Sequence, residues 1–501
     1  MKKNLNELTR LVKEISLLGS CQAVLVWDER TYMPKKGAEN RSEQSALIAG
    51  MCHEKFVSPR IGELLAEIAG SGELDDPLSS DAVNVRELQR SYDKKIKIPK
   101  TLVEELSKTT TLAEHAWVEA RQKSDFSMFS PWLTKVINLK HKEAEAVGYN
   151  KEPYDALLDD YEPGESTENL REVFDKLRSD LVELVGAIAS SGKKPDISII
   201  ERDYAVDKQE IFNKAAAAAI GYDFDGGRLD ITTHPFCIGI GPGDVRITTR
   251  FNPKHIGQAL FGVLHEAGHG MYEQGLDPKY TGLPMGEAVS LGIHESQSRM
   301  WENMVGRSKS FWEYFFPRAR QIYWESLSDV NLDDFYFAIN DVKPSFIRVE
   351  ADEATYNLHI LLRFEIEHAI FSGEVKTDDI PSIWNEKFAQ YFGITPPDDA
   401  RGCLQDVHWG AGLIGYFPTY TLGNLYAAQF FAKAKEDLGD LDDQFARGSF
   451  EELLNWLRKN IHKQGQRYHS NDLVIKTTGK QLSHEYLMNY LWDKYKPLYG
   501  I

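Results

Sequence analysis

The sequence predicts a mainly α-helical protein with one small β-sheet, organised as a single domain over residues 1–501. Two observations lead to this fold class. Apolar residues recur at three- and four-residue steps along most of the chain, which is the period of an amphipathic helix. Residues 229–250 instead combine β-branched residues with glycines. Because no internal repeat, low-complexity tract or Pro/Ser-rich linker interrupts the chain, we expect one domain with two lobes.

The helical period is visible from the beginning of the chain. The first predicted helix carries an apolar stripe formed by Leu8, Leu11, Val12, Ile15 and Leu18. Equivalent stripes predict helices in residues 100–120, 130–147, 165–190, 355–371 and 425–437. Such stripes are typical of helix faces that pack on a core, and they indicate no chemistry of their own.

The exception, residues 229–250, predicts a small sheet. Between Ile238 and Thr248, β-branched residues flank Gly241, Pro242 and Gly243, which is typical of two short strands around a tight turn. These glycines do not form a phosphate-binding loop, because no helix follows them at the required register.

Composition and charge exclude several classes of protein. Hydrophobic residues make up 42% and charged residues 27% of the chain, as in folded globular proteins. A formal net charge of −18 disfavours binding to nucleic acids or to anionic membranes. Since the N-terminus lacks a signal-peptide pattern and no apolar run approaches about 20 residues, we expect a cytoplasmic protein. No CxxC pair occurs among the cysteines, which are Cys21, Cys52, Cys237 and Cys403.

The most informative segment is a helix predicted to begin at Asn252-Pro253, with the asparagine as N-cap, and to end at Gly275. It contains the pentapeptide His265-Glu266-Ala267-Gly268-His269. Residues four apart lie on one face of a helix, so both imidazoles can bind one zinc ion. Glu266 lies about 100° around the helix, where it can take a proton from a water molecule instead of binding the ion.

A third ligand must come from another part of the chain. Glu273 lies one turn beyond His269 on the same helix and cannot wrap around the ion. Glu287 follows the next loop, and Glu295 lies in a second helical run, which would return it to the histidines if it were antiparallel. We therefore choose Glu295 as the third ligand and keep Glu302 as the reserve.

An acid or carbonyl usually accepts the other ring N–H of a metal-binding histidine. Some related sites place that acid one turn after the glutamate ligand, but this chain has Arg299 there. The orienting acid must therefore come from elsewhere, and our candidate is Asp352.

Beyond this helix, the chain resembles the carboxypeptidase Taq family of metallocarboxypeptidases. The motifs that carry the resemblance are, in chain order, Trp27-Asp28-Glu29-Arg30-Thr31-Tyr32-Met33-Pro34, His234-Pro235-Phe236, Asp244-Val245-Arg246-Ile247-Thr248, His265-Glu266-Ala267-Gly268-His269, His294-Glu295-Ser296-Gln297, Ile347-Arg348-Val349-Glu350-Ala351-Asp352 and Gly402-Cys403-Leu404-Gln405-Asp406-Val407-His408-Trp409. They span most of the chain and show no departure at the ligand or base positions.

The resemblance implies a mostly helical fold with a deep groove, similar to that of helical oligopeptidases. An N-terminal helical region, about residues 1–125, would cover part of that groove. The resemblance also implies a homodimer, one zinc ion that cobalt can replace, and release of C-terminal residues from peptides with broad specificity. It makes His265, His269 and Glu295 the ligands and Glu266 the general base.

A carboxypeptidase must recognise a free α-carboxylate, which a guanidinium binds through two hydrogen bonds. We favour Arg348 as this anchor, and Arg246 on the predicted hairpin could close the end of the groove. Either arginine could instead form a structural ion pair with a nearby acid. The oxyanion of the tetrahedral state needs a further hydrogen-bond donor. The candidates for that donor are, in falling order, His234, His408 and Tyr420. Tyr416 competes with Tyr420 for this role.

These observations predict a zinc-dependent metallocarboxypeptidase whose substrates are peptides with a free C-terminus. Two alternatives remain open. The same zinc site could serve an endo-oligopeptidase or a dipeptidyl carboxypeptidase. The chain could also be a non-catalytic helical scaffold with a structural metal, although structural zinc sites usually have four protein ligands that commonly include cysteine.

Overall fold

A computed structural model describes residues 2–72 and 74–501, most of which are helical. The α-helices are, in chain order, α1 (Lys2–Thr31), α2 (Ala38–Phe56), α3 (Pro59–Ala69), α4 (Ser80–Lys97), α5 (Lys100–Lys123), α6 (Ser130–Val147), α7 (Pro153–Leu158), α8 (Thr167–Ser190), α9 (Val206–Ile220), α10 (Ile256–Gly275), α11 (Leu291–Arg299), α12 (Lys309–Ile322), α13 (Trp324–Leu327), α14 (Leu332–Ala338), α15 (Tyr356–Phe371), α16 (Ile380–Phe392), α17 (Pro418–Leu438), α18 (Leu441–Ala446), α19 (Glu451–Asn460), α20 (Ser470–Thr478) and α21 (Glu485–Tyr499). A π-helix, Met300–Val305, follows α11 directly. The predicted mainly α-helical fold is confirmed.

The small sheet has three strands, β1 (Gly227–Ile231), β2 (Cys237–Gly241) and β3 (Asp244–Thr249), in the order β1-β3-β2. β2 and β3 form the predicted antiparallel hairpin, and β1 adds a parallel partner to β3. The turn needs a glycine because Gly243 has φ +77°. The fully buried side chain of Ile247 belongs to the main core, which it shares with α10.

Two apolar cores are present. The larger one extends over residues from α5 to α21, and a smaller one joins α1, the end of α2, α3 and α4 to Leu283. The N-terminal helices also meet the sheet, because Trp27 of α1 packs edge-on against Phe236 with ring centroids 5.7 Å apart. Between α1, α2, β2 and the end of α10 lies a cavity of about 700 Å³. Among the described residues, no helix combines the length and apolar character that a membrane crossing requires.

α10 begins later than the sequence predicts. His255 is the N-cap, and its Nδ1 accepts hydrogen bonds of 3.0 Å from the backbone N–H groups of Gly257 and Gln258. Asn252 instead accepts from the backbone N–H of Lys254 at 2.9 Å, which closes a turn before the helix. His255, and not the predicted Asn252, therefore caps the helix, and the predicted end at Gly275 is confirmed.

α11 is held closely between α10 and α17. A Cβ atom added to Gly268 of α10 would lie 2.6 Å from the carbonyl oxygen of Gln297 and 2.7 Å from Cα of Ser298. On the other side, a Cβ at Gly423 of α17 would lie 2.5 Å from Cγ of Glu295. The two glycines therefore set how near α11 comes to α10, and α11 carries the predicted third ligand.

Candidate metal centre

His265 and His269 of α10 and Glu295 of α11 form a cluster whose ligand atoms all lie within 4.8 Å of one another. Oε2 of Glu295 is 3.3 Å from Nε2 of His269 and 3.8 Å from Nε2 of His265. Two ligands bound about 2.05 Å from a tetrahedral ion lie about 3.3 Å apart, which is the distance between the His269 and Glu295 atoms, and nitrogen and oxygen donors of this kind suit a transition metal ion. The two histidines and the carboxylate that the sequence predicts as ligands are thus brought together.

His265 is oriented by an acid that follows Glu295 by two helical turns. Its Nδ1 lies 2.9 Å from Oε2 of Glu302, so an Nδ1–H donated to this carboxylate leaves the lone pair of Nε2 for an ion. Glu302 lies in the π-helix Met300–Val305, and π-helical turns occur frequently at functional sites. Glu302, which the sequence predicts as the reserve ligand, therefore lies behind His265, and its oxygen is not among the clustered ligand atoms.

His269 is oriented by a histidine and an acid in series. Its Nδ1 lies 2.5 Å from Nδ1 of His294, and Nε2 of His294 lies 2.9 Å from Oε1 of Glu273. If the Nε2–H of His294 is donated to Glu273, Nδ1 of His294 accepts the Nδ1–H of His269. The Nε2 lone pair of His269 then also points towards the ion position.

The predicted orienting acid Asp352 is wrong. Its carboxylate accepts hydrogen bonds from the backbone of Lys343 and from the backbone and hydroxyl of Thr355. Asp352 thereby caps the turn before α15, and the orienting contacts come from the groups on α10, α11 and the π-helix instead.

Arg299 fixes the third ligand. Its Nε donates to Oε1 of Glu295 at 2.7 Å, which leaves Oε2 of the same carboxylate facing the histidines. Burial disfavours the charged carboxylate, but Arg299 and then His265 lower the pKa of Glu295 well below its usual range. Glu295 is thus an anion in the folded protein, as a metal ligand has to be.

Glu266 lies beside this cluster on α10 and is only 7% exposed. Its carboxylate makes no hydrogen bond or ion pair with any other residue that the structure describes. Burial, opposed by the charge of His265, raises the pKa of Glu266 to about 7. A carboxylate with this pKa can take up and release a proton near neutral pH.

Arg348 is buried in an ion cluster with two other charged residues. Its Nη2 donates to Oδ1 of Asp406 at 2.8 Å, and Arg363 contacts Oδ2 of the same aspartate at 2.6 Å. Nε of Arg348 also donates to Oδ1 of Asp406 at 3.2 Å, and Nη1 donates to the Tyr356 hydroxyl at 3.0 Å. Two arginines share one aspartate, so the cluster keeps one formal positive charge.

The other predicted site residues fall into two groups. His408 and Tyr420 are neighbours, with 3.3 Å between Nε2 and the hydroxyl, and burial lowers the pKa of His408 to about 4 despite the charge of Asp406. Tyr416 packs against Tyr420 with ring centroids 5.4 Å apart, so both predicted tyrosines lie together.

His234 and Arg246 lie on the sheet side of the protein. His234 is exposed on the connection between β1 and β2, and no other described residue forms a hydrogen bond with its side chain. Arg246 binds both carboxylate oxygens of Asp244 at 2.6 and 2.7 Å and lies 5.5 Å from the ring centre of Trp27. Arg246 thus forms a structural ion pair with a nearby acid, which is the alternative to a substrate-binding role that the sequence leaves open.

A family model described as carboxypeptidase Taq (M32) metallopeptidase matches residues 7–495. The chain belongs to this family. Over 498 residues it is 50% identical to thermostable carboxypeptidase 1 of Thermus thermophilus, and the match covers 97% of each chain. Carboxypeptidase 1 of Bacillus subtilis is 44% identical over 490 residues, which cover 98% of this chain and 97% of the relative.

Solved structures agree with this assignment. The M32 carboxypeptidase of Deinococcus radiodurans superposes with a TM-score of 0.97 at 38% identity, and the whole of both chains is covered. The carboxypeptidase of Pyrococcus furiosus superposes with a TM-score of 0.94 at 38% identity and covers 99% of each chain. The protein is therefore an M32 metallocarboxypeptidase, a hydrolase that acts on peptides, and the non-catalytic scaffold is excluded.

The sequence did not reveal all of the polar residues around this M32 site. The roles of Glu273 and His294 depend on how α10 meets α11, and Asp406 pairs with an arginine 58 positions away. Glu302 had a detectable signal, because a residue seven positions after Glu295 falls on nearly the same helix face.

Proposed function

We propose that this chain is a zinc-dependent metallocarboxypeptidase that releases single C-terminal residues from peptides with broad specificity. The observation that carries the proposal is the position of the unpartnered, buried Glu266 beside three clustered donor atoms. A His/His/Glu donor set leaves the fourth position of a tetrahedral ion open, as in catalytic zinc sites. Cobalt, which also binds nitrogen and oxygen donors, would fit the same cluster.

Glu266 is the general base in this proposal. A zinc ion held by His265, His269 and Glu295 would supply Lewis acidity to the substrate carbonyl and to a water molecule. Glu266 removes a proton from the attacking water and then passes it to the departing amine.

Arg348 holds the terminal carboxylate of the substrate. A guanidinium has five N–H hydrogens, of which Asp406 and Tyr356 take three. Two donors remain, and the net positive charge shared with Arg363 and Asp406 favours an incoming anion. The structural ion pair and the anchor are therefore compatible, because Asp406 holds the guanidinium while one edge stays available.

His408 and Tyr420 are the proposed donors to the oxyanion. His408 is neutral at the pH of catalysis, so it donates one ring N–H without adding a charge to the site. Burial and, second, the nearby charge of Glu295 raise the pKa of Tyr416. Tyr416 remains the alternative to Tyr420 as a donor to the oxyanion. His234, the first candidate from the sequence, is exposed on the connection between β1 and β2 and remains a proposed donor to the oxyanion. Arg246 would close the groove from the sheet side.

The partners follow from the same proposal. The substrates are peptides with a free C-terminus, and nucleic acids and membranes are not partners of a chain with a net charge of −18. We propose a cytoplasmic homodimer built from single-domain subunits. Helices α1–α5 cover part of the groove, in keeping with the 700 Å³ cavity that α1 and α2 border.

The general base is tested by Glu266→Gln. Turnover should fall at least about 100-fold, because proton transfer by a positioned group contributes about 10²- to 10⁴-fold. Bound zinc, measured by elemental analysis, should stay near one per chain, since Glu266 is not among the ligands. The control is Glu87→Gln, which changes a buried carboxylate of α4 that pairs with Arg86 and Arg90. If Glu266→Gln keeps wild-type turnover, Glu266 is not the base.

The position of cleavage is tested with peptides that differ only at the C-terminus. Free-acid peptides should yield a ladder of products that lose one residue at a time in mass spectrometry, and C-terminal amides should be poor substrates. Products shortened by two residues would indicate a dipeptidyl carboxypeptidase. Equal cleavage of acids and amides would refute the role of Arg348.

A further inference from the structure

Tyr356, the first residue of α15, lies between two guanidinium groups. Its ring centre is 4.3 Å from the guanidinium carbon of Arg299, and its hydroxyl accepts the 3.0 Å hydrogen bond from Nη1 of Arg348. The side chain is only 6% exposed, so neither contact is made in bulk water. One aromatic side chain therefore contacts the arginine that fixes the metal ligand and the arginine proposed to hold the substrate carboxylate.

On the metal side, the ring supports the plane of Arg299. This guanidinium donates to Glu295 at 2.7 Å and to Glu302 at 3.3 Å, so its tilt determines where both carboxylates lie. A guanidinium is a planar group that stacks well on an aromatic face, and a desolvated contact of this kind is strong. Loss of the ring would leave the plane of Arg299 without this support.

On the substrate side, the hydroxyl holds one end of Arg348. Asp406 binds the Nε and Nη2 edge of the guanidinium, and the Tyr356 hydroxyl binds Nη1. Without the hydroxyl, Nη1 would lose its partner, and only Asp406 would hold the guanidinium, at its Nε and Nη2 edge.

We propose that Tyr356 is a positioning residue that fixes the separation between the Arg348 guanidinium and the Glu295 carboxylate, and thereby selects the peptide bond that meets Glu266. The inference rests on the proposed function, in which Arg348 holds the terminal carboxylate. The distance from that carboxylate to the last peptide carbonyl is set by covalent geometry, so the protein must match it with a rigid spacer. A tyrosine with two torsions, buried and held at both ends, meets this requirement.

Two substitutions separate the two contacts. Tyr356→Phe removes the hydroxyl and keeps the ring, so KM for an N-blocked free-acid dipeptide should rise about tenfold while zinc affinity stays at the wild-type value. Tyr356→Leu removes both contacts, so zinc affinity, measured by competition with a chelating dye, should fall as well. The matched control is Tyr204→Phe, which removes a buried hydroxyl that donates to the carbonyl of Ile199.

The outcomes are distinct. A raised KM with unchanged zinc affinity in Tyr356→Phe, absent in Tyr204→Phe, supports the inference. An increase in products shortened by two residues from a longer free-acid peptide also supports it. Wild-type KM in Tyr356→Phe would overturn it, provided that the wild-type enzyme still prefers the free acid over its amide. If the wild-type enzyme shows no such preference, the proposed function itself fails, and the inference fails with it.

Discussion

Gly423 of α17 lies directly against Glu295 of α11, the proposed third metal ligand. A Cβ atom at position 423 would be 2.5 Å from Cγ and 2.6 Å from Cβ of Glu295, closer than van der Waals contact allows. Gly268 of α10 contacts the opposite side of α11 in the same way. The position of Glu295 is therefore set by two glycines on two neighbouring helices, far apart in sequence.

Gly423→Ala should displace Glu295 and weaken metal binding. We expect zinc affinity to fall about tenfold or more, and the free energy of unfolding to fall by about 1–3 kcal/mol because the helix pair becomes overpacked. Zinc affinity is measured by competition with a chelating dye, and stability by chemical denaturation. Gly262→Ala is the matched control on α10, since nothing lies within 4 Å of a Cβ there. That change should stabilise the helix by up to about 1 kcal/mol, and an equal loss of affinity in both variants would contradict the prediction.

Glu302→Gln should lower zinc affinity although Glu302 is not a ligand. The amide that replaces the carboxylate can still accept the Nδ1–H of His265, but it no longer polarises the ring, and Arg299 loses an ionic partner. Loss of such an orienting acid typically costs about 10- to 100-fold in metal affinity. Dye competition measures the change, and Glu87→Gln serves as the control for loss of a buried acid. Wild-type affinity in Glu302→Gln would show that His265 is oriented without this charge.

The part of the site that the sequence predicted is the part with local geometry. His265 and His269 share a helix face because of the four-residue step, and this relation holds wherever the helix lies in the fold. The hairpin of β2 and β3 is also local, since its strands adjoin a glycine-containing turn. The choice of Glu295 needed one further assumption, an antiparallel return of the next helix, which the structure satisfies.

The remaining contacts depend on packing that no local pattern encodes. No sequence pattern supports Asp352 as the orienting acid, and its oxygens are taken by the turn before α15. Arg348 meets Asp406 only because a loop before α17 returns to the start of α15. The sequence predicts the start of α10 too close to the N-terminus, because N-cap preferences favour asparagine over histidine, whereas His255 caps the helix here.

Metal removal should lower the thermal unfolding midpoint of the wild-type protein. An ion that binds the folded state alone stabilises it by about 2.7 kcal/mol when its free concentration is 100 times the dissociation constant. Chelation should therefore lower the midpoint by a few degrees, and re-addition of zinc should restore it. In His269→Ala, which lacks one ligand, the response to zinc should largely disappear. A midpoint that responds equally in both proteins would place the stabilising ion elsewhere.

In the metal-free protein, Glu162 should contribute stability at about pH 5 that is lost as the pH rises to about 7.5. This fully buried carboxylate accepts hydrogen bonds from the hydroxyl of Ser290 at 2.9 Å and from the backbone N–H of Gly292 at 3.1 Å, at the beginning of α11. Burial, only partly offset by hydrogen bonds from Ser470 and Ser290, raises the pKa of Glu162 to about 7. The folded state therefore keeps a proton on Glu162 that the unfolded state releases near pH 4.5, so the contribution of Glu162 to the free energy of unfolding falls across this interval and is constant above it.

Glu162→Gln should reduce that fall, because glutamine does not ionise. At about 1.4 kcal/mol for each pKa unit, the difference between the two proteins should reach at most about 3 kcal/mol. The measurement is urea denaturation of both chelator-treated proteins at pH 5 and pH 8. Glutamine keeps one acceptor for the N-terminus of α11, so the two proteins should be most alike in stability at the acid end, where Glu162 is neutral. Parallel profiles would mean that Glu162 keeps an ordinary pKa in the folded protein, and that its hydrogen bonds to α11 outweigh its burial.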